Sequence, residues 1–111
     1  MATTLAVQSV AATGLNPSFT AADATGNNFP NAAGGKTFLA VKNGSVGSVT
    51  VTVNSQTECD QGFDHDLDVA VPAGQERWIG PFAQKRFNDG AGLVSVTYSA
   101  VADVTVAAIS I

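Results

Sequence analysis

Charge is what this sequence has least of. Only 13% of its 111 residues are Asp, Glu, Lys or Arg, about half the usual share. Five are basic, Lys36, Lys42, Arg77, Lys85 and Arg86, and only the last two adjoin. With a formal net charge of −4, the chain lacks the clustered cations that neutralise phosphates, so nucleic acid is not an expected partner. Cys59 is the sole cysteine, which excludes an internal disulfide and points to production in a reducing cytoplasm. His65 is the sole histidine. A blue-copper site needs two histidines beside a cysteine, and tetrahedral zinc wants four ligands, mostly Cys and His. Neither supply exists. No apolar run approaches the ~18–20 residues of a membrane span, and MATTLAVQSV has no basic stretch ahead of its apolar residues, so neither a membrane partner nor a secretory signal is expected. No phosphate loop, G-x-S-x-G or H-E-x-x-H pattern occurs, and enzymatic activity is not expected.

Val, Thr, Ser, Ala and Gly are abundant instead, a balance that favours strands and turns over helices. The stretch 68–111 organises the rest, reading DVAVPAGQERWIGPF, then AQKRFNDGAG, then LVSVTYSAVADVTVAAISI. Its short apolar runs are broken by Pro72-Ala73-Gly74, by Asn88-Asp89-Gly90 and by residues 99–103, a pattern of antiparallel β structure. Strands are predicted over 37–42, 48–54, 67–71, 76–79, 93–99 and 104–111. In 48–54, Val49, Val51 and Val53 face one way while Ser48, Thr50, Thr52 and Asn54 face the other, as a half-buried sandwich strand requires. In 104–111 the phase changes at Ala107-Ala108, predicting a bulge or a strand buried on both faces.

Residues 13–36 read as a long loop holding one short strand around 18–22, with Phe19 and Phe29 plugging the edge of the core. Phe87 anchors the loop 83–92. Residues 1–12 alternate loosely, with Leu5 and Val7 on one face, and form either a first strand or an extended arm that pairs with a neighbour. The expected whole is a single domain over 1–111. It is all-β, an antiparallel β-sandwich of jelly-roll or Ig-like kind, with seven to eight short strands and an extended N-terminal segment.

Residues 58–68 hold five of the nine acidic residues with the only His and the only Cys. Asp64, Asp66 and Asp68, at alternate positions, resemble the opening of a calcium loop. Val69 then stands where that loop needs Gly, and Gln75 where it needs a bidentate Glu. A solvated acidic loop is therefore expected, with these three aspartates as the metal candidates and no cofactor. Cys59 and His65 share one loop six residues apart without an oxyanion-hole sequence, and Cys59 is expected as a small buried hydrophobe. Arg77 and Trp78 adjoin on a predicted strand. Both types are favoured interface anchors, although alternation expects Trp78 as the principal core aromatic with Arg77 outside. Leu5, Val7, Arg77, Trp78, Lys85 and Arg86 are the candidate interface residues, because so lightly charged a surface is better docked than bare.

Taken together, ECDQGFDHDLDVAVPAGQERWIGPF and KRFNDGAGLVSVTYSAVADVTVAAISI, with TTLAVQSV and TFLAVKNG before them, resemble small all-β virion proteins of tailed bacteriophages and prophages. The likeness lies in the order of a Cys-containing polar loop, a Pro-Ala-Gly turn followed by Arg, an Ile-Gly-Pro-Phe end and a Val-Thr-Tyr-Ser strand. It implies a capsid decoration or cementing protein on the outer surface of the virion shell. Its partners would be the major capsid protein and further copies of itself, in a homotrimer. Two rivals remain open: a neck, tail-completion or tail-tube component, and a calcium- or carbohydrate-binding β-module using 58–68.

Overall fold

A computed structural model describes residues 3–31, 36–55, 66–82 and 84–110. Ten strands run in order: β1 (Thr3–Thr4), β2 (Val7–Ser9), β3 (Thr20–Ala21), β4 (Asn27–Pro30), β5 (Thr37–Asn43), β6 (Val49–Val53), β7 (Leu67–Val71), β8 (Glu76–Ile79), β9 (Leu93–Tyr98) and β10 (Val104–Ser110). A single helical turn, α1 (Gln84–Phe87), lies between β8 and β9. The strands form two five-stranded sheets packed as a sandwich. The front sheet has the order β1-β4-β9-β6-β7, and the back sheet β2-β10-β5-β8 with β3 also on β10.

Four of the antiparallel ladders are nested. β6 pairs with β7, β5 with β8, β4 with β9 and β3 with β10. The chain from β3 to β10 is thus one long hairpin, doubled over so that alternate rungs fall in opposite sheets. Alternation makes the fold possible. In β6, Val49, Val51 and Val53 are at most 1% exposed while Thr50 and Thr52 lie outward, and each buried valine contributes about 1.5–3 kcal/mol of transfer free energy.

Three expectations are corrected. The strand count is ten rather than seven to eight, and the sheets are mixed, because β1 runs parallel to β4 and β2 parallel to β10. The loop expected over 13–36 contains β4, whose Asn-Asn-Phe-Pro sequence carries no β signal. Asn27 is fully buried there because its side chain is saturated: Nδ2 donates to the Thr3 carbonyl at 3.0 Å, and Oδ1 accepts from the Tyr98 hydroxyl at 2.8 Å. Trp78 is not the principal core aromatic, being 50% exposed. Ile79 takes the inward position of β8, and three phenylalanines fill the aromatic core. Phe82 lies 5.6 Å from Phe29 and 5.6 Å edge-on from Phe87.

The N-terminal segment takes the first of its two expected forms. It passes from the front sheet at β1 to the back sheet at β2, and Leu5 between them is buried in the core, with Val7 packed against it. Leu5 and Val7, expected as partner contacts, therefore serve their own chain. This segment closes one side of the sandwich. β7 and β8, joined by residues 72–75, are the terminal strands on the other.

β10 is buried on both faces, as its phase change suggested. Val104, Val106 and Ala108 face the main core. Ala107 and Ile109 join Ala40 in a second cluster on the outside of the back sheet, packed under Leu15 and Phe19 of the segment before β3. Lys42 sets its ammonium 4.1 Å over the Phe19 ring, a cation–π contact on the rim of that cover.

Candidate functional site

The back sheet ends on one side at β8, where the exposed anchors Arg77 and Trp78 stand. The Arg77 guanidinium folds onto its own strand, donating from Nη1 to the Glu76 carbonyl at 2.9 Å and from Nη2 to Gln75 Oε1 at 2.7 Å. A carbonyl on a terminal strand invites a foreign chain, and a cationic side chain laid over it discourages that pairing. Trp78 is fixed by its indole N–H, which donates to Glu76 Oε2 at 2.6 Å. Directly across, Ala40 of β5 pairs with Trp78, and so small a neighbour leaves the ring half exposed. The result is an oriented apolar plate whose one polar atom is already bonded.

The opposite side of the back sheet is built differently. The free edge of β10 serves two strands in turn: β3 pairs antiparallel at Thr105 and Val106, and β2 pairs parallel from Ala108 to Ser110. Backbone groups that point toward one neighbour recur every second residue. Counting from the Thr20–Val106 pair, Ser18 should therefore be the next residue to bond Ala108, but β2 occupies that place. Gln8 substitutes for the lost rung. Its Oε1 accepts from the Ser18 N–H at 2.8 Å and its Nε2 donates to the Ser18 carbonyl at 2.9 Å. A primary amide can do this because it carries a donor and an acceptor side by side, as a peptide does. Gln8→Leu is expected to cost about 1–3 kcal/mol, the net worth of two hydrogen bonds. Amide exchange at Ser18 should accelerate well beyond that of β5, and unchanged exchange would contradict the splice.

Where the two strands part, a groove of about 310 Å³ opens, lined by 3–6, Gln8, Ser18, Thr20 and 106–108. No charged residue lines it. Of its apolar residues, Leu5, Val106, Ala107 and Ala108 are buried and Ala6 is exposed.

Loops at one end of the sandwich are tied by buried amides. Asn43 is 2% exposed and donates from Nδ2 to the carbonyls of Gly47 and Val71, both at 2.9 Å, while its Oδ1 accepts from the Ser45 N–H at 3.0 Å. Asp23 ties β1 to the turn before β4. Its carboxylate accepts from the hydroxyl of Thr3, and from the N–H and hydroxyl of Thr25 at 2.9 and 2.8 Å. These bonds, Thr3's first, hold its pKa at about 2 against an ordinary 3.8. A depressed carboxylate stabilises the fold above its unfolded pKa, and that support is lost as pH falls through the folded one. The stability gap between wild type and Asp23→Asn should therefore be constant at neutral pH and close between pH 3.8 and about 2. A gap that does not change over that window would contradict the bonding. The Tyr98 hydroxyl moves the other way. Burial, with Asp23 nearby, pushes its pKa far up and keeps it neutral.

The remaining candidates are scattered. Asp66 Oδ1 accepts from the Ser55 N–H at 3.0 Å and Asp68 Oδ1 from the Thr52 hydroxyl at 2.8 Å, so both brace the β6–β7 hairpin. Asp64, with Cys59 and His65, lies outside the described residues. Among the described residues no group of three or more His, Cys, Asp or Glu could hold a metal ion. The Arg86 guanidinium sits 4.7 Å over the Phe87 ring, and the Lys85 side chain lies outside the described residues. Leu5 and Val7 belong to the closed side of the sandwich, Arg77 and Trp78 to the other.

The sequence offered no advance sign of Gln8, Asn27, Asn43 or Glu76. Gln8 and Asn27 matter through partners far along the chain, such as Tyr98, 71 residues from Asn27, whereas Glu76 bonds Trp78 two residues on, a contact that shows only once Trp78 is known to lie outside. Comparison with known proteins finds no match: no family model, no curated protein and no solved structure matches this chain.

Proposed function

We propose that this chain is a non-enzymatic structural protein of a phage virion, one that decorates or cements the outer capsid surface through contacts with the major capsid protein, as a homotrimer. One observation carries the reading. Polar side chains that are buried or bonded in the described region, among them Gln8, Asp23, Asn27 and Asn43, bond backbone and loop groups. Chemistry needs such groups converging on a substrate; a load-carrying module needs them as internal ties.

The four nested ladders support a jelly roll rather than an Ig-like sandwich, since the β3–β10 hairpin doubled over yields two four-stranded layers. Jelly rolls occur in viral capsid proteins and in lectins, and fold alone does not choose between them. The sequence resemblance favours the virion.

Immunogold labelling tests the proposal. Virions induced from cells carrying the gene are exposed to antibody against the purified chain. Gold spread evenly over the heads is expected. Gold confined to the neck or tail would move the role to the rival virion component. Unlabelled virions would overturn the reading.

A further inference from the structure

Asn43-Gly44 is the only Asn-Gly pair in the sequence, and Asn43 ends β5, a strand flanked by β10 and β8. Asparagine is a thermolabile residue, and a following glycine is its most reactive setting. With no Cβ on that next residue, nothing shields the asparagine Cγ from the backbone nitrogen that follows it. That nitrogen gives up its proton and bonds to Cγ, the Cγ–Nδ2 bond breaks, and ammonia leaves with the proton. Water then opens the succinimide ring at either carbonyl, leaving aspartate or its backbone-lengthened isomer, isoaspartate.

The fold holds both reactants off that path. Asn43 Nδ2 donates to the carbonyls of Gly47 and Val71, both at 2.9 Å. Its Oδ1 accepts from the N–H and the hydroxyl of Ser45 at 3.0 and 2.6 Å. Closing the ring would take Nδ2 from both carbonyls. The Gly44 N–H donates to the Asp103 carbonyl at 2.8 Å, and its nitrogen can react only when that bond opens. Gly44 itself is exposed, so solvent reaches it and the bonds are what protect the pair. Neither residue is readily replaced. Asn43, 2% exposed, must donate to two carbonyls, and a Cβ at Gly44 would meet the Asp103 carbonyl oxygen at 3.0 Å.

We infer that Asn43 is a deamidation site that the native fold keeps shut. Modification then strikes only chains that have opened at this end of the sandwich, and it bars their return. Either product is unfit for the site. Aspartate sets a carboxylate oxygen where Nδ2 now meets two carbonyls, with a donor for neither. Isoaspartate adds a backbone carbon to β5 at the residue that pairs with Val104 and whose N–H bonds the Gln75 carbonyl. Unfolding thus becomes irreversible with time, and a population ages only through its opened fraction. The inference does not depend on the proposed function.

Peptide mass spectrometry tests it, on folded chains and on chains in concentrated urea held at one mildly alkaline pH and one temperature. In urea, Asn43 should convert faster than every other asparagine, and Gly44→Ala should remove that lead. In the folded chain its conversion should be at least about 100-fold slower, because openings of packed strands are rare. Asn43→Asp reproduces one product directly. Its ratio of folded to unfolded chains should fall at least about 30-fold at neutral pH, the effect of leaving two buried carbonyls without donors. Folded and unfolded chains that deamidate at one rate would overturn the inference. So would conversion in urea led by another asparagine, or Asn43→Asp unfolding at the wild-type midpoint.

Discussion

Phe82→Ala should cost about 3–5 kcal/mol, the range for truncating a fully buried aromatic. Phe82 is 1% exposed and touches Phe29 and Phe87, each at 5.6 Å between ring centres. Removing it takes away both ring contacts and leaves a void in an interior that cannot readily collapse. Its carbonyl is held at 3.0 Å by Asn31 Nδ2, which keeps the backbone in place and limits relaxation into the space. A domain of this size has only about 5–15 kcal/mol of stability in total, so the variant should lie close to the edge of folding. Chemical denaturation with an unchanged slope and a much lower midpoint is the expected record. Trp78→Ala provides the contrast. A larger aromatic is removed from a half-exposed position, and the chain's intrinsic stability should change by no more than about 0.5 kcal/mol. If the costs were reversed, the placement of both rings would be wrong.

Deleting residues 1–10 should be equally severe. An arm that served only a partner could be removed without loss to the domain. Here the segment supplies the parallel rungs Thr3–Asn27 to Thr4–Asn28 and Val7–Ala108 to Ser9–Ser110, and buries Leu5 between the sheets. It also carries Gln8, which holds Ser18 and hence the cover over Ala40, Ala107 and Ile109. Leu5→Ala alone should cost about 2–5 kcal/mol, and the deletion more, leaving much of the population unfolded near room temperature. Calorimetry on both variants checks this. A truncated chain that melted with the wild type would make the segment dispensable and restore the arm.

The core strands were legible because alternation is a local signal. Strands predicted over 67–71 and 76–79 match β7 and β8 residue for residue, and the others from β5 onward agree within about two residues at each end. The N-terminal third was legible only in part: the short strand expected around 18–22 contains β3, and Phe29 is buried as expected, but its other strands were not foreseen as such. β1 and β3 have two residues each, too few to show a period, and β4 holds its asparagines by side-chain bonds that no local pattern reveals. Trp78 was misjudged because alternation tells which residues share a face and not which face is inward. In β8 that choice depends on Ile79 lying beside Leu39. The groove has no sequence signature either, since it exists only where β2 and β3 meet β10.

The nested ladders also set an order of events. β6 and β7 are neighbours in the chain, while β3 must find β10, and β2 must find residues 108–110. Each outer rung closes a longer loop of chain than the one inside it, and the entropic cost grows with that length. Folding from the inside outward lets every ladder shorten the loop left for the next. The N-terminal strands then wait for β10, which is synthesised after them, so the sandwich cannot shut until β10 has left the ribosome. Contacts of such long range place the chain among slow folders, on the scale of milliseconds to seconds, and during that interval the valine faces of β6 and β9 stand open.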